Sequence, residues 1–270
     1  MDAMLTAMSQ PAKSKWVVPR GGGGTRAPGV ESGEPAAAGA EQAHRYNRPM
    51  RLLAFDTSTE YLSVALRVAG RTLSRDLHAV QSHSELLLDL VGVLLAEAGV
   101  TLADLDCIAF GQGPGAFTGL RIACGVAQGL ALGANLPLAP VSTLLALAEG
   151  SRQPRVIACL DARMGEVYHA AYVRGQEWQV VSPPVLCAPG EAPLLEGGEW
   201  AGVGSGFSVH HAALAQRYAG RLVKVDGTLF PHAADIAALA ERAGPAGWVA
   251  PEAALPHYIR DKVALTLAER

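Results

Sequence analysis

Residues 110–133 read FGQGPGAFTGLRIACGVAQGLALG and contain seven glycines. The letters DCIAFGQG at 106–113 are typical of a buried strand, and the apolar letters that follow predict a helix over about 118–133. A buried strand, a glycine-rich turn and a helix form an arrangement that many proteins use to bind phosphate. The same glycines could instead allow close packing against protein. The function of the chain depends on which of these uses applies.

Two well-known phosphate motifs do not fit this segment. A Walker A loop needs Lys and then Ser or Thr after its second glycine, but Leu120 and Arg121 follow Gly119. The dinucleotide-binding pattern matches loosely, yet no acidic residue ends a strand about 20 residues further on, as a ribose contact would require. The start of the helix remains a place that could attract an anion, or one that Thr118 simply caps.

The body of the predicted helix carries small residues in rows. Gly125, Gly129 and Gly133 repeat every four residues, and three alanines form a parallel row. Each glycine inside a helix costs about 1 kcal/mol relative to Ala, so these positions need a structural reason. Two explanations stay open, namely close packing against the protein's own sheet and close approach of a helix from a partner.

Two segments of the chain share one pattern. The letters MRLLAFDTSTEYLSVALRV at 50–68 predict an apolar strand, an Asp, a short turn and an alternating strand. The letters RVIACLDARMGEVYHAAYVRG at 155–175 repeat this order, so Asp56 and Asp161 occupy equivalent places. The repeat predicts two related lobes.

Further helices are predicted from capping signals and apolar periodicity. Ser82 and Glu85 have the spacing of a capping box, and Gly99 is a suitable C-terminal stop. Three more helices are predicted. One begins at Ser142 and ends near Gly150, and the others cover about 209–218 and about 232–243.

The chain divides into three predicted parts. We expect residues 1–49, rich in Gly, Pro and Ala, to be disordered, residues 50–153 to form the first lobe, and residues 154–270 to form the second. Met50 directly precedes the first strand and is a candidate for the start of the protein.

Composition restricts the class of protein. The chain has 270 residues, half of them hydrophobic, and a net charge of −3. A protein that binds nucleic acid by itself usually carries a basic surface, which this charge does not favour. The four cysteines form no C-x-x-C pair, and three of them (Cys107, Cys124 and Cys159) lie in apolar runs, as expected for buried thiols in a reducing cytoplasm. We expect neither a membrane span nor a secretory signal.

Catalytic groups are scarce in the sequence. The Asp56, Thr57 and Ser58 turn could bind phosphate or Mg²⁺, or could be an ordinary polar turn. His78 and His83 are five residues apart and His210 and His211 are adjacent, so neither pair has the spacing of metal ligands on a helix. The letters GVGSGF at 202–207 lack the order of a nucleophile elbow, and their glycines favour close passage of the chain by a ligand or by the other lobe.

Four segments together resemble the TsaB family, also called YeaZ. They are LLAFDTSTEYLSVAL at 52–66, AFGQGPGAFTGLRIACGVAQGLALGANLPLAPVSTL at 109–144, ACLDARMGEVYHAAY at 158–172 and YIRDKVAL at 258–265. The resemblance implies the α/β fold of actin, sugar kinases and Hsp70 (ASKHA), which has two lobes, each a mixed sheet flanked by helices. It also implies a non-catalytic subunit of the machinery that makes N6-threonylcarbamoyladenosine (t6A) in tRNA. That subunit would activate TsaD for transfer of the threonylcarbamoyl group to adenosine 37 of tRNAs that decode ANN codons.

The same resemblance implies partners. They are TsaD in a heterodimer, TsaE in the larger complex, a second copy when the protein is alone, and tRNA only through the complex. TsaD holds its metal with an H-x-x-x-H motif, whereas the corresponding letters here, AVQSHSELL at 79–87, offer only His83. The resemblance therefore implies no catalytic residue and no metal site in this chain.

Interface residues carried over from the family lie on two predicted helices and the glycine-rich turn. They are Leu86, Leu87, Leu90, Leu94, Gly113, Pro114, Phe117, Thr118, Arg121, Gly125, Gln128 and Gly129. One departure is Ala116, which stands where the family often has Ser. The alternative function is an ATPase or GTPase that acts through Asp56, Thr57 and Ser58, and ATP or ADP with Mg²⁺ at the subunit interface is the only cofactor that the resemblance implies.

Overall fold

The computed structural model describes residues 49–79 and 82–260. Within them, ten strands form two mixed five-stranded sheets. The first sheet has the order β3-β2-β1-β4-β5 and the second the order β10-β9-β6-β7-β8. The strands are β1 (Leu52–Asp56), β2 (Tyr61–Val68), β3 (Arg71–His78), β4 (Cys107–Gly113), β5 (Leu138–Ser142), β6 (Arg155–Asp161), β7 (Val167–Arg174), β8 (Trp178–Cys187), β9 (Trp200–Val203) and β10 (Leu222–Asp226).

The helices of the described chain connect and cover these sheets. They are α1 (His83–Ala98), α2 (Phe117–Ala134), α3 (Thr143–Ser151), α4 (Ser205–Val209), α5 (His211–Arg217) and α6 (Ala233–Ala243). Short 3₁₀ turns occur at Leu102–Asp104, Pro189–Glu191, Pro245–Gly247 and Pro251–Ala253.

The predicted internal repeat is confirmed. β1 pairs antiparallel with β2 and parallel with β4, and β6 pairs antiparallel with β7 and parallel with β9. Asp56 and Asp161 are the last residues of β1 and β6, so both hairpins present an Asp at the same point of the fold. In each lobe the first strand of the hairpin is the central strand of its sheet, and its partner, β2 or β7, is also largely buried between two strands.

Helices cover both faces of the first sheet. α1 and α2 pack on one face, around a core that includes Leu53, Phe55 and Phe110. α6, from the second half of the chain, packs on the other face against β1 and β2. The division at residues 153 and 154 therefore separates the two sheets but does not separate all elements of the two lobes.

One local prediction is wrong. Ser82 does precede α1, but its side chain makes no capping hydrogen bond because its backbone is not extended. The helix predicted over about 209–218 is α5 (His211–Arg217), and the short helix α4, which was not predicted, ends directly before it at Val209. β3 was not predicted, since almost all of its residues are exposed and its polar letters RTLSRDLH show no apolar alternation. The expected disorder of residues 1–49 concerns a segment that, up to residue 48, lies outside the described residues.

The cysteines follow their predicted environment. Cys107, Cys124 and Cys159 are buried, Cys187 is half-buried, and all four are free thiols. Burial raises the pKa of each thiol, which keeps it protonated and unreactive at neutral pH.

Candidate functional site

The glycine-rich turn packs against the turn after β1. A Cβ at Gly119 would overlap the carbonyl oxygen of Thr57, and one at Gly115 would lie 2.6 Å from Ser58 Cβ. The backbone N–H of Ala116 donates to the Ser58 carbonyl at 2.7 Å, and the Thr57 hydroxyl donates to the Gly119 carbonyl at 2.7 Å. The first glycines of the segment therefore serve contact between two turns of the same lobe.

Asp56 lies beneath this contact. The carboxylate is 1% exposed, and a Cβ at Gly111 would overlap its Oδ2. Oδ1 accepts hydrogen bonds from the backbone N–H and hydroxyl of Ser58 at 2.9 and 2.7 Å, while Oδ2 has no partner among the described residues. Burial raises the pKa of Asp56 to about 6, against the lowering effect of the Ser58 hydrogen bonds.

The side chains of the Asp56–Ser58 turn are covered by the glycine-rich turn. Asp56, Thr57 and Ser58 are all buried, and Gly115 and Gly119 pack directly against the backbone of Thr57 and Ser58. The Asp56 carboxylate and the Thr57 hydroxyl are therefore engaged inside the first lobe, whereas Ser58 borders the pocket between the lobes.

The equivalent turn of the second lobe is more open. Asp161 Oδ1 lies 3.2 Å from His210 Nε2, and Oδ2 lies 3.1 Å from Arg163 Nη1. A pocket of about 380 Å³ lies between the two lobes and is lined by Asp161 and by Ser58 and Ala116 of the first lobe. The neighbouring glycines 204 and 206 pack against Cys159 of β6 in their own lobe, and a Cβ at Gly204 would also lie 3.0 Å from Leu147 Cδ1 of α3, in the first lobe.

The two rows of small residues on α2 face opposite ways. Ala123, Ala127 and Ala131 are buried in the core of the first lobe. Gly125 and Gly129 are exposed, and no atom of the described chain outside the helix's own backbone lies within 4 Å of where their Cβ atoms would be. Packing against the protein's own sheet, one of the two explanations considered, therefore does not account for these glycines.

Exposed apolar side chains lie on the outer faces of α1 and α2. Leu88 and Val93 project from α1 and are about half exposed, and Leu132 on α2 is 66% exposed. These three residues were not among the predicted contacts. The helical period could have indicated Leu132, which lies three residues after Gly129 and so on the same face.

The predicted interface residues are only partly available on this surface. Leu87, Leu94, Gly113 and Pro114 are buried, so they belong to the core of the lobe. The others are exposed or half-buried: Leu86, Leu90, Phe117, Thr118, Arg121, Gly125, Gln128 and Gly129. The apolar period of α1 is compatible with Leu87 and Leu94 either in the core or at an interface. Only the position of the sheet distinguishes these two roles.

The histidines considered as ligands are dispersed. His83 Nε2 lies 3.3 Å from the Tyr61 carbonyl oxygen, and His210 pairs with Asp161. Within residues 49–79 and 82–260, no group of three His, Cys, Asp or Glu side chains is arranged to hold a metal ion.

α2 also has the length and apolar composition of a membrane span, with a mean hydropathy of 1.2 over its 18 residues. Its alanine row packs on the first sheet, as in the core helix of a folded lobe.

Known proteins share this architecture. A family model described as TsaD, tRNA N6-adenosine threonylcarbamoyltransferase, matches residues 77–264. The tRNA threonylcarbamoyladenosine biosynthesis protein TsaB of Escherichia coli K12 is 39% identical over 227 residues, which cover 80% of this chain and 96% of that protein. The protein of the same name from Haemophilus influenzae is 34% identical and covers 67% of this chain and 83% of its own length.

A solved structure agrees in fold. The structure titled YeaZ from Pseudomonas aeruginosa is 42% identical, covers 77% of this chain and 99% of its own, and superimposes with a TM-score of 0.72. The repeated sheets and flanking helices are those of the ASKHA fold. This chain therefore belongs to the TsaB (YeaZ) family of tRNA threonylcarbamoyladenosine biosynthesis proteins.

Proposed function

We propose that this chain is a non-catalytic subunit that binds a TsaD subunit through the outer faces of α1 and α2. In this proposal it activates TsaD, in the cytoplasm, for threonylcarbamoyl transfer to adenosine 37 of tRNAs that decode ANN codons. TsaE joins the larger complex, tRNA is contacted only through the complex, and the free protein forms a homodimer through the same face.

The outward glycines of α2 carry the proposal. Gly125 and Gly129 weaken the helix by about 1 kcal/mol each and receive no contact from the described chain in return. Small residues at this spacing let a second helix approach closely, while Leu132 on the same helix and Leu88 and Val93 on α1 offer exposed apolar area. A partner helix thus supplies the structural reason that the isolated lobe lacks.

The proposal assigns the transfer chemistry to TsaD. The competing hypothesis, a nucleotide hydrolase acting through Asp56, requires a phosphate site at a turn that Gly115 and Gly119 close. ATP or ADP with Mg²⁺ is accordingly proposed at the interface with the partner and not in this turn.

The substitution Gly129→Leu tests the proposed face. The exposed helical site accepts Leu without internal overlap, so the free energy of unfolding should stay equal or rise slightly. Overpacking at an interface costs typically 1–3 kcal/mol, which weakens association about five- to 150-fold. Affinity for the TsaD of the same organism can be measured by isothermal titration calorimetry, and the homodimer by analytical ultracentrifugation.

Gly190→Leu is a matched control. Gly190 is exposed in the second lobe, and no described atom lies within 4 Å of its Cβ position. We expect this variant to bind TsaD normally. If Gly129→Leu also binds with unchanged affinity, the outer face of α2 is not the interface and the proposal is wrong.

A further inference from the structure

Residues 254–260, here called the C-terminal strap, run along α2 and belong to no helix or strand. The strap begins at Ala254, which is 1% exposed. Its carbonyl oxygen accepts hydrogen bonds from Gln128 Nε2 at 3.0 Å and from the Cys124 thiol at 3.4 Å. This end of the strap is therefore part of the packed surface of the first lobe.

The middle of the strap is bound at the start of α2. The His257 N–H donates to the Gln112 carbonyl at 2.7 Å, next to the glycine-rich turn. Arg121 Nε donates to the Tyr258 hydroxyl at 3.0 Å, and the Tyr258 and Phe117 rings lie 5.2 Å apart. Two of the proposed interface residues, Arg121 and Phe117, thus already contact the strap.

The distal end of the strap crosses to the second lobe. Ile259 packs on the apolar cluster that contains Leu160, and Arg260 Nη2 donates to the Ala162 carbonyl at 3.0 Å. Arg260 also pairs with Glu166 at 2.8 Å, and its side chain is only 15% exposed. These two partners flank the β6–β7 turn, and Arg260 Nη1 also lies 3.5 Å from Met164 Sδ within it.

The β6–β7 turn has a backbone that needs support. Arg163 and Met164 both have left-handed φ values, 62° and 54°. Such conformations are sparsely populated by residues with side chains and persist where surrounding contacts hold them. Arg260 supplies such contacts on one side of the turn.

The strap lies over the pocket between the lobes. His257 and Arg260 line this pocket of about 380 Å³ together with Ala116 of the first lobe and Asp161 of the second. Away from the pocket, α3 of the first half packs against β6 and β7 of the second sheet. The lobes are therefore joined by packing at α3 and by the strap at the pocket.

We propose that the strap is a clasp, which fixes the angle between the lobes and closes the pocket. Release of Arg260 from the β6–β7 turn opens the pocket, while Ala254, His257 and Tyr258 stay on the first lobe. The clasp belongs to the isolated protein, so its test does not depend on binding of TsaD.

The test compares Arg260→Ala and Glu166→Gln, which break the same ion pair from its two sides. Arg75→Ala is the control, because it breaks an exposed ion pair with Glu97 within the first lobe. Spin labels at Glu60→Cys and Val209→Cys, in a Cys187→Ser background, report the distance across the pocket by double electron–electron resonance. Both distal variants should shift this distance distribution to longer values and broaden it, and the control should not.

Hydrogen exchange separates opening from general destabilisation. Amides of residues 161–164 should exchange about tenfold faster or more in Arg260→Ala, as loss of a charge-assisted hydrogen bond predicts, while β1 amides stay protected. Unchanged label distances in both distal variants would overturn the proposal. Equal acceleration of exchange in β1 and in residues 161–164 would overturn it as well, since the strap would then only stabilise the whole fold.

Discussion

Asp56 keeps one carboxylate oxygen without a hydrogen bond from the described chain because Gly111 passes directly over it. Removal from water penalises the charged form, so the pKa rises to about 6 although Ser58 donates two hydrogen bonds. Asp56, which the sequence offers as a candidate ligand for phosphate or Mg²⁺, is therefore buried in the contact between two turns.

The first prediction concerns the pH dependence that Asp56 imposes. The folded pKa of about 6 lies above the ordinary Asp value of 3.8, so the contribution of Asp56 to stability is fully present below about pH 3.8. This contribution is lost as the pH rises through about 6. The Asp56→Asn variant has no ionisable group at this position. Its free energy of unfolding, relative to that of the wild type, should therefore increase between pH 4 and 7 by roughly 3 kcal/mol, which corresponds to a pKa shift of about two units.

Urea titrations of both proteins at several pH values measure this difference. Asp89→Asn, on the exposed side of α1, removes one carboxylate elsewhere and serves as the control. A difference between Asp56→Asn and wild type that stays constant from pH 4 to 7 would show that Asp56 is charged and solvated in the folded protein.

α2 uses glycine for two different purposes along one helix. Gly119, in its first turn, faces the Thr57 carbonyl, and Gly125 faces outward with no contact from the described chain beyond its own helix. Gly119 permits close approach of the Thr57 carbonyl inside the lobe, and Gly125 leaves the outer surface of the helix without a projecting side chain. The element therefore joins the closed turn to the proposed interface.

The second prediction separates these two glycines by adding one methyl group. Gly119→Ala would place its Cβ onto a backbone oxygen, so we expect a loss of about 1–3 kcal/mol or more in the free energy of unfolding. Gly125→Ala should instead gain up to about 1 kcal/mol from helix propensity. Urea unfolding of the two variants decides the matter, and effects of the same sign would contradict the assignment of the two faces.

The two lobes are joined at Glu149, at the end of α3. Its carboxylate is 2% exposed and accepts hydrogen bonds from Arg242 Nη2 on α6 and Trp178 Nε1 on β8, both at 2.7 Å. Arg174 of β7 and Arg152 also pair with it. Burial alone would raise the pKa of Glu149, but the hydrogen bonds and positive charges outweigh it and hold the pKa at about 2.

The third prediction applies to this joint of the whole molecule. Glu149→Gln keeps an acceptor for Trp178 but removes the charge that the arginines share. We expect a loss of roughly 1–3 kcal/mol at pH 7, moderated because the arginines are partly exposed. The depressed pKa means that the wild-type advantage is present above pH 4.5 and lost as the pH falls toward about 2.

Thermal or urea unfolding at pH 7 and near pH 3 measures that advantage. Glu97→Gln is the control, since Glu97 pairs with Arg75 in an exposed ion pair of the first lobe. An advantage of wild type over Glu149→Gln that is as large near pH 3 as at pH 7 would show that the charge of Glu149 is not what joins the lobes.

The sequence by itself determined the repeated hairpins, the strand and helix around the glycine-rich turn, and the family. Strand alternation, helical periodicity and the spacing of Gly, Pro, Phe and Arg at 111–121 are local properties, so they can be recognised before the chain is folded. Only the tertiary structure decided which row of small residues on α2 faces the sheet. It also decided that Leu87 and Leu94 belong to the core, and that α6 returns to the first sheet. The physical reason is that a helix's period defines its faces, but contacts between residues far apart in sequence determine which face is covered.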